Sequence, residues 1–243
     1  MEGLMEEINI ICMKWGTKYG PEYVNTLYSM VSRNIKLPFR FICLTDDNIG
    51  FVDGIESFAI PKLDIPDGPE RGWDKLLTFT APLYDLKGQA LYLDLDVVII
   101  DNIDCFFEFP AQFPIIKDWV KKDVTGNSSV YRFSINQHAD ILANFKKNHQ
   151  QIRKQVRNEQ EYLSQYVAKQ KQLTYWPENW CQSFKYNCIK KGWAGWFIPP
   201  ELPFGAKIII FHGKPNPPDA IMGRSGKWYR KVLPTNWVAD HWQ

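Results

Sequence analysis

Apolar residues in this chain come in short runs separated by amphipathic stretches, a pattern typical of sheets built from βαβ units. The run from Ile8 to Met13 predicts a first strand, and the run from Phe39 to Leu44 predicts a second. Between them, Pro21 to Arg33 carries apolar side chains at helical spacing and begins with a proline, which suits a first helical turn. Strand, helix and strand within about 35 residues imply a parallel sheet with a right-handed crossover.

The apolar run from Leu91 to Ile100 carries two carboxylates in its middle. Its length and β-branched content predict a strand buried on both faces, where an unpaired carboxylate is costly. Asp94 and Asp96 are two residues apart, so in an extended chain they project to the same side and repel each other. A divalent cation that prefers oxygen ligands would relieve this repulsion. The alternative that the sequence leaves open is that the two aspartates end a strand and cap the next turn.

The remaining pattern completes an α/β chain. A helix is predicted from Trp73 to about Tyr84, and His138 to Gln172 is polar and helical, with a helix start suited to Asn158. Further short strands are predicted, at 55–60, 114–119, 127–133 and 206–211. Without repeats, low-complexity segments or a clean linker, residues 1–243 are interpreted as one domain, with a mostly parallel central sheet flanked by helices.

Composition narrows the function classes. A chain of 243 residues with 45% hydrophobic residues can bury a sizeable core, and a net charge of +2 does not suggest nucleic-acid binding. There is no apolar run near the roughly 18 residues that a membrane span needs. The acidic start, Met1 to Glu7, lacks the layout of a secretory signal, and the five scattered cysteines have no zinc-site spacing. We therefore expect a reduced, cytoplasmic compartment.

Aromatic residues are unusually frequent, at 15% with ten tryptophans, and these concentrate toward the C-terminus. Core packing is the commonest reason, while a sugar-stacking surface or a membrane-interface belt are the alternatives. Gly226 to Lys231 mixes rings with cations in the manner of an interfacial anchor. Peripheral contact of the C-terminal tail with the inner face of a membrane is therefore one interpretation, beside an ordinary surface segment.

Polar residues follow several of the predicted strands. Ligands of open α/β sheets bind outside the carboxyl ends of the strands, which here carry Lys14–Gly20, Thr45–Asp47, the Asp94/Asp96 pair and His212–Lys214. His212 is a candidate third metal ligand, and Lys214 could neutralise a phosphate. An oxygen-rich cation site beside lysines suits a pyrophosphate. The phosphate loop, dinucleotide fingerprint and serine nucleophile elbow are all missing from the sequence, which disfavours those chemistries.

These motifs resemble the metal-dependent glycosyltransferases of the GT-A fold, nearest to the family 8 (galactosyl/glucosyltransferase) type, over roughly Ile8 to Pro218. The segment Tyr92–Asp96 is similar to the family's DxD strand, and Phe211–Pro215 looks like its late His-Gly-x-x-Lys-Pro element, although here lysine directly follows Gly213. Asn127-Ser128-Ser129 resembles an Asn-Ser-Gly stretch near the acceptor. Asn158-Glu159-Gln160 lies where Gly-Asp-Gln is typical, with Glu in place of Asp.

The resemblance implies transfer of a hexose from a UDP-sugar to a hydroxyl of a glycan or lipopolysaccharide-type acceptor, with retained anomeric configuration. It implies a nucleotide-sugar-binding half at about residues 1–105 and an acceptor-side half, with the aromatic tail, at about 106–243. The implied ligands of Mn²⁺ or Mg²⁺ are Asp94, Asp96 and His212. The implied donor-binding residues are Asp46 at the base or ribose, and Asp94, Lys75 and Lys214 at the diphosphate. The loop after the first strand departs from the family pattern, with Lys14-Trp15-Gly16 where an Asp/Asn-Tyr pairing is frequent, but Trp15 or Tyr19 could still stack on the uracil. The implied reaction-centre residues are Gln160 near the reacting carbon, with Glu159 and Asn127 at sugar hydroxyls.

Two other functions remain open at this stage. A nucleotidyltransferase acting on a sugar phosphate also uses two carboxylates and a metal on a parallel sheet, but Lys14–Gly20 is only faintly like its basic glycine-rich loop. A non-catalytic module could use the C-terminal aromatic residues to bind a glycan or a membrane surface.

Overall fold

The structure is a computed structural model that describes residues 6–66, 68, 71–226 and 231–243. Its strands are β1 (Ile8–Lys14), β2 (Arg40–Thr45), β3 (Ile55–Ala59), β4 (Gln89–Leu93), β5 (Val97–Ile99), β6 (Phe113–Lys117), β7 (Gly126–Ser134), β8 (Leu173–Tyr175), β9 (Cys181–Ser183) and β10 (Ile208–Ile210). Its α-helices are α1 (Pro21–Asn34), α2 (Cys105–Glu108), α3 (Ala139–Gln155), α4 (Glu159–Lys169), α5 (Pro217–Ile221) and α6 (Asn236–His241). Two 3₁₀ helices (Trp73–Phe79 and Gly192–Trp196) and a π-helical turn (Phe184–Cys188) complete the elements of the described residues.

Within the described residues, the strands form a seven-stranded sheet in the order β3-β2-β1-β4-β7-β6-β8 and a three-stranded sheet in the order β5-β10-β9. The four strands from β3 to β4 are mutually parallel, β7 is antiparallel to both of its neighbours, and β8 is parallel to β6. The mostly parallel α/β sheet expected from the sequence is therefore confirmed. The β1–α1–β2 unit supplies its centre, with α1 beginning at Pro21.

The large sheet is buried on both faces, because β1 alternates its side chains between two apolar clusters. Ile10 and Cys12 pack with α1 and the smaller sheet on one face. Ile11 and Met13 pack on the other face with the first 3₁₀ helix, α3 and α4. Parallel sheets covered on both faces carry near-continuous apolar strands, which is the pattern seen in β1 and β4.

The predicted continuous strand from Leu91 to Ile100 was wrong. β4 ends at Leu93, and Val97 begins β5, which pairs antiparallel with β10 in the smaller sheet. The apolar residues after Asp96 are buried by that second pairing, so the chain leaves the large sheet between the two runs. The amide of Asp94 still donates to the carbonyl of Ser129 on β7, at 2.9 Å. Both aspartates therefore lie at the carboxyl end of β4, which matches the open alternative that they end a strand.

Two helical predictions also needed correction. The helix expected from Trp73 to Tyr84 is a 3₁₀ helix that ends at Phe79, because Pro82 cannot continue a helix and disfavours helical backbone in the residue before it. The polar stretch 138–172 contains two helices, and Asn158 caps the second by accepting from the amide of Glu161 at 3.2 Å. No helix in the described part of the chain is long and apolar enough to cross a membrane.

Candidate active site

A cleft of about 300 Å³ opens at the carboxyl ends of β1 and β4. β1 delivers the basic and aromatic loop that follows Lys14, and β4 delivers the two aspartates, as expected for an open α/β sheet. The charged and aromatic side chains that line the cleft are Lys14, Trp15, Lys18, Tyr19, Lys75, Tyr92, Asp94 and Asp96. A larger hollow of about 540 Å³ lies where β1, β2 and β4 begin, and it contains none of the predicted site residues.

Asp96 is nearly buried in this cleft. The Tyr19 hydroxyl donates to Asp96 Oδ2 at 2.8 Å. Burial and the neighbouring charge of Asp94 raise the pKa of Asp96 to about 6, although the Tyr19 hydrogen bond and the cations of Lys18 and Lys75 oppose that rise. Both causes follow from the place of Asp96, which is shielded from water and lies beside a second carboxylate.

Asp94 belongs to a charged network with Lys75 and Glu159. Lys75 Nζ lies 2.7 Å from Asp94 Oδ1 and 3.9 Å from Glu159 Oε1, and the hydroxyl of Ser128 donates to Glu159 Oε1. Burial works to lower the pKa of Lys75, but the charges of Asp94 and Glu159 outweigh it, so the pKa is raised and the ammonium persists. Burial raises the pKa of Glu159, opposed by Lys75 and Ser128. The network joins the end of β4 to the first turn of α4.

The backbone around Gly72 allows this network to form. Gly72 precedes the first 3₁₀ helix with φ 76°, a conformation that favours glycine. A Cβ atom at this position would also lie 3.0 Å from Glu159 Oε2. The amide of Glu159 donates to the carbonyl of Arg71 at 3.3 Å, which ties α4 to the same turn. Lys75 is thereby held against Glu159.

The aspartates offer the donor set that a divalent cation prefers. Mg²⁺ is commonly held by one or two carboxylates together with substrate phosphates, and Mn²⁺ accepts the same oxygen ligands. Burial is the main cause of the raised pKa of Asp96, and the charge of Asp94 adds to it; a bound cation would relieve that repulsion. The residues of the cleft therefore fit such an ion. Within the described residues, however, no group of three His, Cys, Asp or Glu side chains is arranged to hold a metal.

His212 makes other contacts in this structure. Its Nε2 lies 2.7 Å from the Ser183 hydroxyl, and its ring stacks on Trp119 with 5.3 Å between centroids. Burial and the charge of Lys185 lower the pKa of His212 to about 4, so the imidazole is neutral at pH 7. The proposed third ligand therefore stays a prediction.

The remaining predicted site residues are spread around the cleft. Asp46 Oδ2 accepts from the amide of Gly16 at 2.9 Å, so Asp46 shapes the loop that carries Trp15. Lys214 is exposed and pairs with Asp219 at 3.3 Å. The structure thus brings Trp15 and Tyr19 into the cleft with Lys75, Asp94 and Asp96, whereas Glu159 and Lys214 are not part of its lining.

Two predicted reaction-centre residues lie on the elements that carry the network. Asn127 is buried in β7, and its Oδ1 accepts from the amide of Ser129 at 3.1 Å. Gln160 is half-buried at the second residue of α4, directly after Glu159. Their roles toward a sugar stay predictions.

Sequence reasoning assigned no role to three side chains that the structure places at the site. The Tyr92 hydroxyl donates to Asp94 Oδ1 at 3.3 Å, and its ring lies 5.4 Å from Lys75 Nζ. Ser128 donates to Glu159, and buried Lys14 donates to the carbonyl of Asp47 at 3.3 Å. The alternation of side chains along a strand could have identified Tyr92 as a site residue, because it lies two residues before Asp94 and on the same side. The Ser128–Glu159 contact joins residues far apart in sequence, and no sequence pattern announces it.

Comparison with known proteins identifies the fold. No family model matches the chain, and no curated protein matches it. Among solved structures, the galactosyltransferase LgtC in complex with donor and acceptor sugar analogues aligns with a TM-score of 0.63 and 12% identity, over 91% of this chain and 92% of that one. An active-site mutant of LgtC aligns with a TM-score of 0.60 and 13% identity, over 86% of this chain and 89% of that one.

The glycosyltransferase GlyE of Streptococcus pneumoniae TIGR4 aligns with a TM-score of 0.56 and 13% identity, over 87% of this chain and 56% of GlyE. Together these likenesses show that the chain has the GT-A fold expected from its motifs.

Proposed function

We propose that this GT-A-fold protein is a metal-dependent glycosyltransferase that moves a hexose from a UDP-sugar to a hydroxyl of a glycan or lipopolysaccharide-type acceptor. The observation that carries the proposal is the pairing of Asp94 with Asp96 in one cleft, at the carboxyl ends of β1 and β4, with lysines around them. Carboxylates beside cations suit a metal-bound diphosphate, which neither group would bind as well alone.

In this proposal, Asp94 and Asp96 would hold Mn²⁺ or Mg²⁺ beside the diphosphate of the donor. The bound ion would supply Lewis-acid stabilisation of the departing diphosphate. Lys75, already charged and buried beside Asp94, would add a positive charge next to the same phosphates. Lys214 would have to leave Asp219 to reach the phosphates, and His212 would bind the ion through Nδ1, or through Nε2 after releasing Ser183.

The loop after β1 would bind the nucleoside part of the donor. Trp15 and Tyr19 line the cleft and offer rings on which a uracil can stack. Asp46 holds that loop through Gly16 and would face the base or ribose. Because Tyr19 also donates to Asp96, nucleoside and metal sites would be coupled through one side chain.

We propose transfer with retained anomeric configuration. The acceptor oxygen forms a bond to the anomeric carbon while the bond from that carbon to the β-phosphate oxygen breaks. UDP leaves with the bonding electron pair, and its phosphate oxygen takes the acceptor proton on the same face. Gln160 lies near the reacting carbon in this scheme, while Glu159 and Asn127 bind sugar hydroxyls.

The test combines binding with turnover. The purified chain is incubated with Mn²⁺ and a panel of UDP- and GDP-sugars, and nucleotide release is followed with and without EDTA. Thermal unfolding is measured with UDP plus Mn²⁺, because ligands that bind the folded state raise the transition temperature. We expect one UDP-sugar to release UDP in an EDTA-sensitive reaction, and we expect UDP plus Mn²⁺ to stabilise the protein.

The matched variants are Asp96→Asn and Asp64→Asn. Asp64 is an exposed carboxylate in the left-handed backbone region that Asn also tolerates, and it meets Lys146 only at 4.0 Å. Asp96→Asn should abolish both signals, and Asp64→Asn should keep them. The proposal is refuted if no donor gives nucleotide release and UDP plus Mn²⁺ does not stabilise the protein. Full activity in Asp96→Asn would also refute it. Pyrophosphate release from a nucleoside triphosphate and a sugar phosphate would instead identify a nucleotidyltransferase.

A further inference from the structure

The segment from Tyr186 to Phe204 carries an exposed apolar surface that lies outside the cleft lining. Trp193 is 80% exposed, Phe197 is 71% exposed, and Phe204 is fully exposed. We call this set the aromatic surface, made of Trp193, Trp196, Phe197, Ile198, Leu202 and Phe204. Single exposed apolar residues are ordinary, but Trp193 and Phe197 both face water with 6.4 Å between their ring centroids, and contiguous exposed rings indicate an interaction site.

The backbone that carries the aromatic surface is ordered by its own hydrogen bonds. Trp193 and Trp196 lie on the second 3₁₀ helix, and the amide of Phe197 donates to the carbonyl of Ala194 at 3.1 Å. The amide of Glu201 donates to the carbonyl of Cys188 at 2.9 Å, and Trp237 Nε1 donates to the carbonyl of Pro200 at 2.9 Å. The rings are therefore displayed on a fixed frame, and docking costs little ordering entropy.

Lysines lie near part of the aromatic surface. Between Phe184 and Phe204 the sequence has three lysines and one glutamate, and that glutamate, Glu201, already pairs with Lys190 at 2.5 Å. Lys185, Lys190 and Lys231 line a groove of about 410 Å³ beside Trp196. Large rings that project among lysines are the arrangement found at the headgroup level of membranes, where anionic lipids attract the ammonium groups.

A sugar-stacking platform fits these contacts less well. Sugar sites combine rings with amide and carboxylate groups that can bond hydroxyls. Here Glu201 is engaged by Lys190, and Asn187 Oδ1 accepts from the amide of Ser183 at 2.9 Å. Two of the groups that could bond sugar hydroxyls therefore already have partners inside the protein, while lysines line the groove beside Trp196.

We propose that the aromatic surface docks this protein onto a bilayer that contains anionic lipids, with Trp193 and Phe197 entering the interface and lysines contacting the headgroups. This proposal goes beyond the proposed function and does not rest on it. It also differs from the anchor expected in the C-terminal tail. Residues 227–230 of that stretch lie outside the described residues, and Trp237 and Trp242 pack against the core.

The test is sedimentation of the full chain with vesicles of phosphatidylcholine, with and without phosphatidylglycerol, at low and high salt. We expect binding to the anionic vesicles that weakens in high salt, because screening reduces the attraction of exposed charges. Trp193→Ala with Phe197→Ala should lower the partition coefficient by roughly tenfold or more, since two large side chains then leave the interface. Lys191→Glu should lower it at low salt.

The matched control is Ile49→Ala with Val52→Ala, which removes two exposed apolar side chains from the loop after β2. This pair should bind vesicles as the unchanged protein does. Circular dichroism of each variant shows whether it is folded, and since all four side chains are exposed, folding should be kept. The proposal is overturned if the unchanged protein stays in the supernatant, or if the aromatic pair and the control pair bind equally. The proposal is also overturned if the unchanged protein binds soluble maltoheptaose but no vesicles, and the Trp193→Ala, Phe197→Ala variant loses that sugar binding. This result would identify a sugar platform.

Discussion

Replacing Lys75 with methionine tests whether the charged network holds the cleft together. Methionine keeps an unbranched apolar stem beside Tyr92 but removes the ammonium that lies 2.7 Å from Asp94 and 3.9 Å from Glu159. Glu159 has a side chain only 6% exposed, so water cannot replace the lost ammonium. Asp94 is more exposed and keeps the hydrogen bond from Tyr92, so most of the cost should arise at Glu159.

Protonation of Glu159 limits how far Lys75→Met can lower the free energy of unfolding. Removing one partner of a buried ion pair costs about 3–5 kcal/mol. Glu159 can avoid part of that cost by binding a proton, which at pH 7 costs a carboxyl of ordinary pKa about 3.7 kcal/mol and at pH 5 about 1 kcal/mol. We therefore expect Lys75→Met to lower the free energy of unfolding by about 3–4 kcal/mol at pH 7. A folded-state pKa raised above the unfolded value makes stability fall as pH rises, so the loss should shrink toward pH 5.

The assay is urea unfolding of four proteins at pH 5 and pH 7: the unchanged chain, Lys75→Met, Glu159→Gln and the double variant. Glutamine keeps a carbonyl oxygen that can accept from Ser128, but it carries no charge that would be left unpaired when Lys75 is removed. The double variant should therefore recover most of the stability lost in Lys75→Met, with a coupling free energy of about 2 kcal/mol or more. Lys146→Met, in an exposed pair at 4.0 Å from Asp64, is the matched control and should change stability by less than about 1 kcal/mol.

Three results would refute the reasoning about Lys75. These are an unchanged stability of Lys75→Met at pH 7, an equal loss at pH 5 and pH 7, or additive effects in the double variant. The last would mean that Lys75 and Glu159 do not interact in the folded protein.

Two further substitutions test the hydrogen bonds of buried Arg132 and the proposed metal site. Arg132 is buried and donates to the carbonyls of Phe106 at 2.6 Å, Phe107 at 3.0 Å, Phe109 at 2.8 Å and Ala111. Arg132→Met should lower the free energy of unfolding by about 3 kcal/mol or more in urea, because these carbonyls lose their donor, and a loss below about 0.5 kcal/mol would contradict this. Tyr19→Phe removes the hydroxyl that donates to Asp96 and should weaken Mn²⁺-dependent UDP binding about tenfold by calorimetry. An unchanged affinity in folded Tyr19→Phe would show that Tyr19 does not support Asp96.

Much of the fold could be predicted because its strongest signals are local. Adjacent residues predict three of its elements: the apolar run of β1, the proline at the start of α1 and the apolar run of β2. The break between β4 and β5 could not be seen this way. A strand that changes sheets looks like one long apolar run, and only the pairing of Val97–Ile99 with β10 shows where the chain departs.

The location of the cleft could be predicted from the residues that follow the predicted strands. Asp94, Asp96, Trp15 and Tyr19 follow apolar runs, and the rule about carboxyl ends of parallel strands places them in one cleft. The same rule gave no warning that His212 would bond Ser183. β10 belongs to the smaller sheet, so its carboxyl end need not open onto the cleft of the larger one.

The sequence by itself determined the βαβ core, the apolar strands of the sheet and the position of two carboxylates directly after one of them, because periodicity and desolvation act on neighbouring residues. Only the tertiary structure decided which charges meet. Lys75 contacts both Asp94 and Glu159 because Gly72 lets α4 approach the first 3₁₀ helix, and Ser128 on β7 donates to Glu159 at the start of α4. Such contacts join residues tens of positions apart, and their energies depend on burial, which a linear pattern does not contain.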